Sequence, residues 1–111
     1  MTMPDEEALA ARVRDALRLV IDPELGYNIV DLGLVYGVAA EADGAVRVVM
    51  TTTTRGCPAT DYLRDGAREA AGSVAGVGEV GVALTYEPPW TPGMMSPEAK
   101  RHFGIRDGDG W

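Results

Sequence analysis

The sequence predicts an α+β fold in two layers: helix, strand, strand, helix, strand, short helix, with the two longer helices covering a small mixed sheet. Three observations carry that prediction. An apolar stripe at helical spacing runs through Leu9, Val13, Leu17 and Val20. Two strand-like runs, Leu34 to Ala40 and Val46 to Thr53, flank the turn Ala42-Asp43-Gly44. A third run alternates, with Val80, Val82, Leu84 and Tyr86 set against Gly81, Ala83 and Thr85.

The first helix is expected from Pro4 to about Val20. Pro4 and the carboxylates of Asp5, Glu6 and Glu7 suit a first turn, where the macrodipole favours negative charge. Asp22-Pro23 closes it, because the residue before a proline is pushed out of the helical region. In the second strand Val46, Val48 and Met50 share one face and Arg47, Val49 and Thr51 the other. The second helix is expected from Pro58 to about Val74, apolar along Leu63, Ala67, Ala70, Ala71 and Val74. Gly66 weakens it by ~1 kcal/mol against alanine. Gly76 and Gly78 release the chain into the third strand. "EPPWTPGM" reads as a proline-rich loop, Ser96 as the cap of a short helix reaching Phe103, and residues 104–111 as a loose tail.

At 111 residues the chain fits one domain, residues 1–111. Hydrophobic residues at 46% and charged residues at 24% argue for a folded chain rather than a disordered one. The formal net charge is −7, and such a surface repels phosphate; nucleic acid and membrane are therefore not expected partners. No apolar run approaches the roughly 20 residues of a membrane helix. The acidic N-terminus lacks the basic and apolar regions of a signal peptide. A single cysteine makes no internal disulfide, which points to the reducing cytoplasm.

Three short motifs lead nowhere. "GVGEVG", residues 76–81, spells a dinucleotide-binding string, but it follows a helix and opens a strand, the reverse of what phosphate binding needs. Pro89 to Pro92 fits a P-x-x-P ligand and reads better as a rigid loop. Asp107-Gly108-Asp109-Gly110 resembles part of a calcium loop without its later glutamate.

Chemistry concentrates at Cys57, the one cysteine, in "MTTTTRGCPATDY". Pro58 is a favourable first helical residue, so Cys57 is the expected N-cap. A thiol at that end of a helix dipole has its pKa lowered toward the reactive thiolate. Gly56 lets the backbone turn tightly and leaves the sulfur approachable. The opposite outcome is a free cysteine packed as a small hydrophobe, and the local residues leave both open. The lone histidine, His102, is expected on the solvated surface rather than as a base for a thiol nucleophile. Asp61 follows Cys57 by one helical turn, while Asp22, Glu24 and Asp31 gather in the first loop. Carboxylates raise a neighbouring thiol's pKa, yet they can bind metal; capping and turn formation are their plainer roles. One thiolate cannot complete a four-ligand zinc or iron–sulfur site, so a bound metal would be shared between chains or completed by a partner.

Three blocks are similar to a known family: "DPELGYNIVDLGLVYGV" at residues 22–38, "VVMTTTTRGCPATDYL" at 48–63, and "YEPPWTPGMMSPEAKRHFG" at 86–104. They resemble the small metal–sulfur cluster assembly domains of the SufT/PaaD-like type, relatives of the cytosolic iron–sulfur targeting proteins. PaaD proteins proper add a cysteine-rich C-terminal segment, whereas this chain has no cysteine after Cys57. The resemblance implies a two-layer α/β domain that matures or delivers iron–sulfur clusters. It places the reactive position on Cys57, the acidic motif on Asp22, Glu24 and Asp31, and the preceding threonines on Thr51 to Thr54.

The expected function is therefore a non-enzymatic assembly or carrier factor in which Cys57 transiently ligates iron or an iron–sulfur cluster, with no cluster permanently held by one monomer. Its expected partners are the iron–sulfur assembly machinery and apo-protein clients, with a homodimer as an option. Thr53, Thr54, Arg55, Gly56 and Asp61 are expected to support the site, Arg55 by lending positive charge to the thiolate. Trp90, Met94 and Met95 offer a soft apolar partner surface, with core packing the alternative for Trp90. Two rivals stand beside this reading: a metal-free thiol enzyme acting on a small electrophile, and an interaction adaptor with Cys57 buried.

Overall fold

The computed structural model describes residues 4–105. Helix α1 spans Pro4–Leu17, followed by the two-residue strands β1 (Ile21–Asp22) and β2 (Tyr27–Asn28). Strands β3 (Val35–Ala40) and β4 (Val46–Met50) lead into helix α2 (Thr60–Gly72) and strand β5 (Val80–Leu84). A 3₁₀ turn at Pro92–Met94 precedes helix α3 (Pro97–Phe103). The main sheet has the order β3-β4-β5, antiparallel between β3 and β4 and parallel between β4 and β5, so it is mixed as expected. The parallel pair requires a crossover, and α2 supplies it.

One core holds the layers together. Leu9, Val13 and Leu17 of α1 and Leu63, Ala67 and Ala71 of α2 are buried against Val46, Val48 and Met50 of β4. The two helices touch each other and cover one sheet face, leaving Arg47 exposed on the other. Among the described residues no helix is long and apolar enough to cross a membrane.

The differences from expectation lie at element ends. Helix α1 stops at Leu17 rather than near Val20, because Arg18, Leu19 and Val20 close tighter bonds to Asp15, Ala16 and Leu17. Strand β4 ends at Met50 rather than Thr53; Thr51 donates its N–H to the Leu34 carbonyl at 2.8 Å and the chain then turns. The β1–β2 hairpin was not expected. Asp22 builds it, its Oδ1 accepting the N–H groups of Glu24 at 2.7 Å and Leu25 at 3.0 Å, with Gly26 left-handed at φ +69. The proline-rich loop contains the 3₁₀ turn, which again no periodicity announced.

Residues 90–96 strap the loop before β3. Trp90 Nε1 donates to the Leu32 carbonyl at 2.7 Å and the Ser96 N–H to the Asp31 carbonyl at 2.7 Å. Gly33, at φ +81, lies so close to this strap that a Cβ would overlap the Met94 carbonyl oxygen. Ser96 caps α3 by accepting from the Ala99 N–H, as predicted. Gly104 and Ile105 are not loose: left-handed Gly104 closes α3, and Ile105 bonds to the Lys100 carbonyl and packs on the core. The remainder of the expected tail, with its Asp-Gly repeat, lies outside the described residues.

Candidate functional site

The site forms where the chain passes from β4 to α2. Beyond Met50, Thr51 and Thr52 run on as buried backbone. The Thr52 hydroxyl then donates to the Thr54 carbonyl at 2.6 Å and lies 2.9 Å from the Tyr86 hydroxyl. Gly56 follows at φ +71, a conformation glycine takes without penalty, with no atom waiting where a Cβ would sit.

Cys57 is not the helix N-cap. The Cys57 carbonyl accepts both the Thr60 N–H at 3.0 Å and the Thr60 hydroxyl at 2.7 Å, closing a β-turn over Pro58 and Ala59. Ala59, at φ −86 and ψ 3, has the third-residue geometry of a type I turn and serves as the cap of α2. The fixed φ of Pro58 suits the second position of such a turn as well as a first helical residue. Thr60 decides between them by bonding the carbonyl twice.

The thiol itself points inward. Cys57 is 6% exposed, and its Sγ–H donates to Glu24 Oε1 at 2.9 Å. The Glu24 bond pushes the thiol pKa above its ordinary value, and burial adds to the shift. The Ala59 N–H opposes it only in part, while the charges of Glu24 and Asp22 reinforce it. The lowered pKa expected of an N-cap thiol is thus reversed. The helix end is displaced by the turn, and carboxylates face the sulfur instead.

Asp22 is 1% exposed and commits Oδ1 to the hairpin, whereas its buried Oδ2 has no hydrogen-bond partner among the described residues. Of the expected acidic group, then, Asp22 and Glu24 act on Cys57. Asp31 is occupied elsewhere, accepting from Asn28 Nδ2 at 2.8 Å and lying 3.8 Å from Arg18 Nε. Asp61 is exposed and pairs with Arg64 at 2.6 Å. Arg55 stacks its guanidinium over the Tyr86 ring at 4.7 Å and is not among the groups that shift the thiol. Thr53 is half-buried and Thr54 exposed, flanking the bend without a bond to the thiol.

The expected partner surface also divides. Met95 is buried in the core and cannot serve as one. Trp90 is anchored on Leu32, and only Met94 stays exposed, beside the Tyr36 hydroxyl. His102 is exposed and stacks near Tyr27, with ring centroids 4.9 Å apart. Tyr86 escaped sequence reasoning as a site neighbour; the available signal was a tyrosine ending an alternating strand, whose hydroxyl needs a partner. Among the described residues, no three histidine, cysteine, aspartate or glutamate side chains converge to hold a metal ion by themselves.

Residues 10–82, from α1 through β5 and including Glu24 and Cys57, match the model of the iron-sulfur cluster assembly protein family. The chain belongs to that family. The Fe-S protein maturation auxiliary factor YitW of Bacillus subtilis is 42% identical over 101 residues, 91% of this chain and 99% of that one. The Fe-S protein maturation auxiliary factor SufT of Staphylococcus aureus is 40% identical over 87 residues, 78% of this chain and 99% of that one. Among solved structures, a domain of unknown function from Bacillus anthracis superposes with a TM-score of 0.87 at 38% identity, covering 93% of this chain and 98% of that one. The α+β fold of this iron-sulfur cluster assembly family member is thus common to at least one solved relative.

Proposed function

We propose that this domain assists the maturation of iron–sulfur proteins by holding iron or a cluster transiently at Cys57, and that Glu24 takes the thiol proton when the metal arrives. The observation that carries this reading is the 2.9 Å bond from Cys57 Sγ–H to Glu24 Oε1. The metal or cluster is cargo here, not a resident group.

The donor set suits such cargo in part. Sulfur is a ligand that iron favours once deprotonated, and a carboxylate in hydrogen-bond contact can accept that proton directly. As a cation approaches Sγ, the S–H bond breaks, the proton moves to Glu24 and a metal–sulfur bond forms. The unpartnered Oδ2 of Asp22 adds negative charge nearby. At rest the same carboxylates keep the thiol protonated, so it meets electrophiles as a weak nucleophile. That counts against the metal-free thiol enzyme.

A single thiolate leaves most of a cluster's coordination to another molecule, which favours passing the cluster on over keeping it. The second molecule is an apo-protein client, a component of the assembly machinery or another copy of this chain, meeting it in a reducing cytoplasm. Anaerobic reconstitution with ferrous iron and sulfide tests the role of Cys57: charge-transfer absorption is expected from the native protein and not from Cys57→Ala. Identical spectra would remove Cys57 as a ligand and leave the adaptor reading.

A further inference from the structure

Where the chain leaves α1, large apolar side chains stand uncovered. Leu19 is 78% exposed, Ile21 43%, and Tyr62, in the first turn of α2, 61%. Together with Met94 these are the exposed large hydrophobic residues among the described ones, and two of them, Leu19 and Tyr62, face one groove. Leu19 and Tyr62 line a groove of about 500 Å³ with Val20 and Ala70. Gly66 shapes its floor, since a Cβ there would press on Val20 Cγ1 at 3.3 Å. A helix-weakening glycine is thus tolerated where α2 comes close to Val20.

The charge around the groove has one sign. Asp65 and Glu69, one helical turn apart, are the charged residues that line it, and among the described residues no lysine or arginine does. Two nearby cations are engaged elsewhere: Arg18 with Asp15 and Asp31, and Arg64 with Asp61. The chain as a whole carries −7.

We infer that this groove docks an amphipathic segment of a partner protein, with apolar side chains laid over Leu19 and Tyr62 and lysine or arginine reaching Asp65 and Glu69. An apolar trough between α2 and the segment that leaves α1, with acidic flanks, is what a helix-in-groove partner reads. A second copy of this chain would bring further negative charge against the acids, and an anionic membrane or nucleic acid would be repelled. The inference does not rest on the chemistry of Cys57, because docking here needs no metal.

The test uses a displayed library of random peptides about 16 residues long, enough for roughly four helical turns. The full chain serves as bait, and enriched peptides are then titrated by amide NMR. The expected peptides combine apolar residues with lysine or arginine and shift the resonances of Leu19, Tyr62, Gly66 and Ala70. Tyr62→Ala, and separately the double change Asp65→Lys with Glu69→Lys, should each weaken binding about tenfold or more. These positions are on the surface, and unchanged thermal melting would confirm that the variants fold. Cys57→Ala should bind the peptides as the native chain does, which separates this surface from the metal-handling site. No enrichment, peptides without basic residues, equal affinity for the variants, or shifts centred elsewhere would each overturn the inference. A concentration-dependent dimer abolished by Leu19→Asp would overturn it in favour of a second copy.

Discussion

The Cys57 thiol and the Glu24 carboxylate meet across 2.9 Å although 33 residues separate them in the chain. The contact joins the β1–β2 hairpin to the turn before α2, and it decides the chemical state of the only cysteine. A buried thiol that donates to an anion holds its proton more tightly than a free one.

Alkylation of Cys57 in the folded protein should be slow at neutral pH and should accelerate only above the range of an ordinary thiol, since its pKa is raised. Glu24→Gln removes both the anionic acceptor and its charge, and the thiol pKa should fall. The rate at pH 7.5 is expected to rise roughly 3- to 10-fold, somewhat less than the gain in thiolate, because nucleophilicity falls with pKa. A stopped-time iodoacetamide assay across pH would measure it, and superimposable profiles would show that Glu24 does not govern the sulfur.

The same raised pKa couples stability to pH with a definite sign. Because the folded state binds this proton more tightly than the unfolded state, its stabilisation is complete below the unfolded thiol value of about 8.5 and fades as pH climbs through the folded value. Urea midpoints taken from pH 7 upward should therefore fall in the native chain as pH passes the unfolded thiol value. Cys57→Ser, which does not titrate there, should lack that component of the decline.

Asp22→Ala should destabilise the domain by roughly 1–3 kcal/mol, because two backbone N–H groups of the hairpin lose their acceptor. Asp22→Asn should cost less, since an amide oxygen can still accept from Glu24 and Leu25. It should also lower the Cys57 pKa by removing a negative charge. Paired denaturation and alkylation measurements would distinguish the turn-building role from the electrostatic one.

Gly33→Ala and Gly26→Ala form a matched comparison. Both positions have positive φ, at +81 and +69, but an added Cβ meets the Met94 carbonyl only at Gly33. Backbone strain alone should cost Gly26→Ala about 1–2 kcal/mol. Gly33→Ala should cost about 2 kcal/mol more, as the strap over the loop must shift. Equal losses in chemical denaturation would mean that the strap yields freely.

Periodicity made the packed parts of this domain legible. Val46, Val48 and Met50 turn inward, and Leu63, Ala67 and Ala71 lie on the buried side of α2, because side-chain direction follows backbone repeat. The site was legible as a set of residues and not as an arrangement. Pro58 has the same φ in a turn as in a helix, so only the Thr60 bonds to Cys57 reveal which it enters. Glu24 and Asp31 sit in one short acidic block, yet only tertiary placement assigns the first to the thiol and the second to Asn28. Arg55 and Tyr86 are far apart in the chain, and no local rule predicts their stacking. Adjacent Met94 and Met95 fall on opposite sides of the surface because the 3₁₀ turn ends between them.

Glu24 reaches its sulfur only when the hairpin and the β4–α2 turn are both in place. In a chain still emerging or transiently unfolded, Cys57 reverts to an ordinary thiol and oxidises as one. The fold thus does for this sulfur what a protecting group does in synthesis, masking it against electrophiles and oxidants while the contact lasts. Oxidative damage at Cys57 should accordingly track the fraction of molecules that are unfolded, making sulfenate on this residue a record of failed folding.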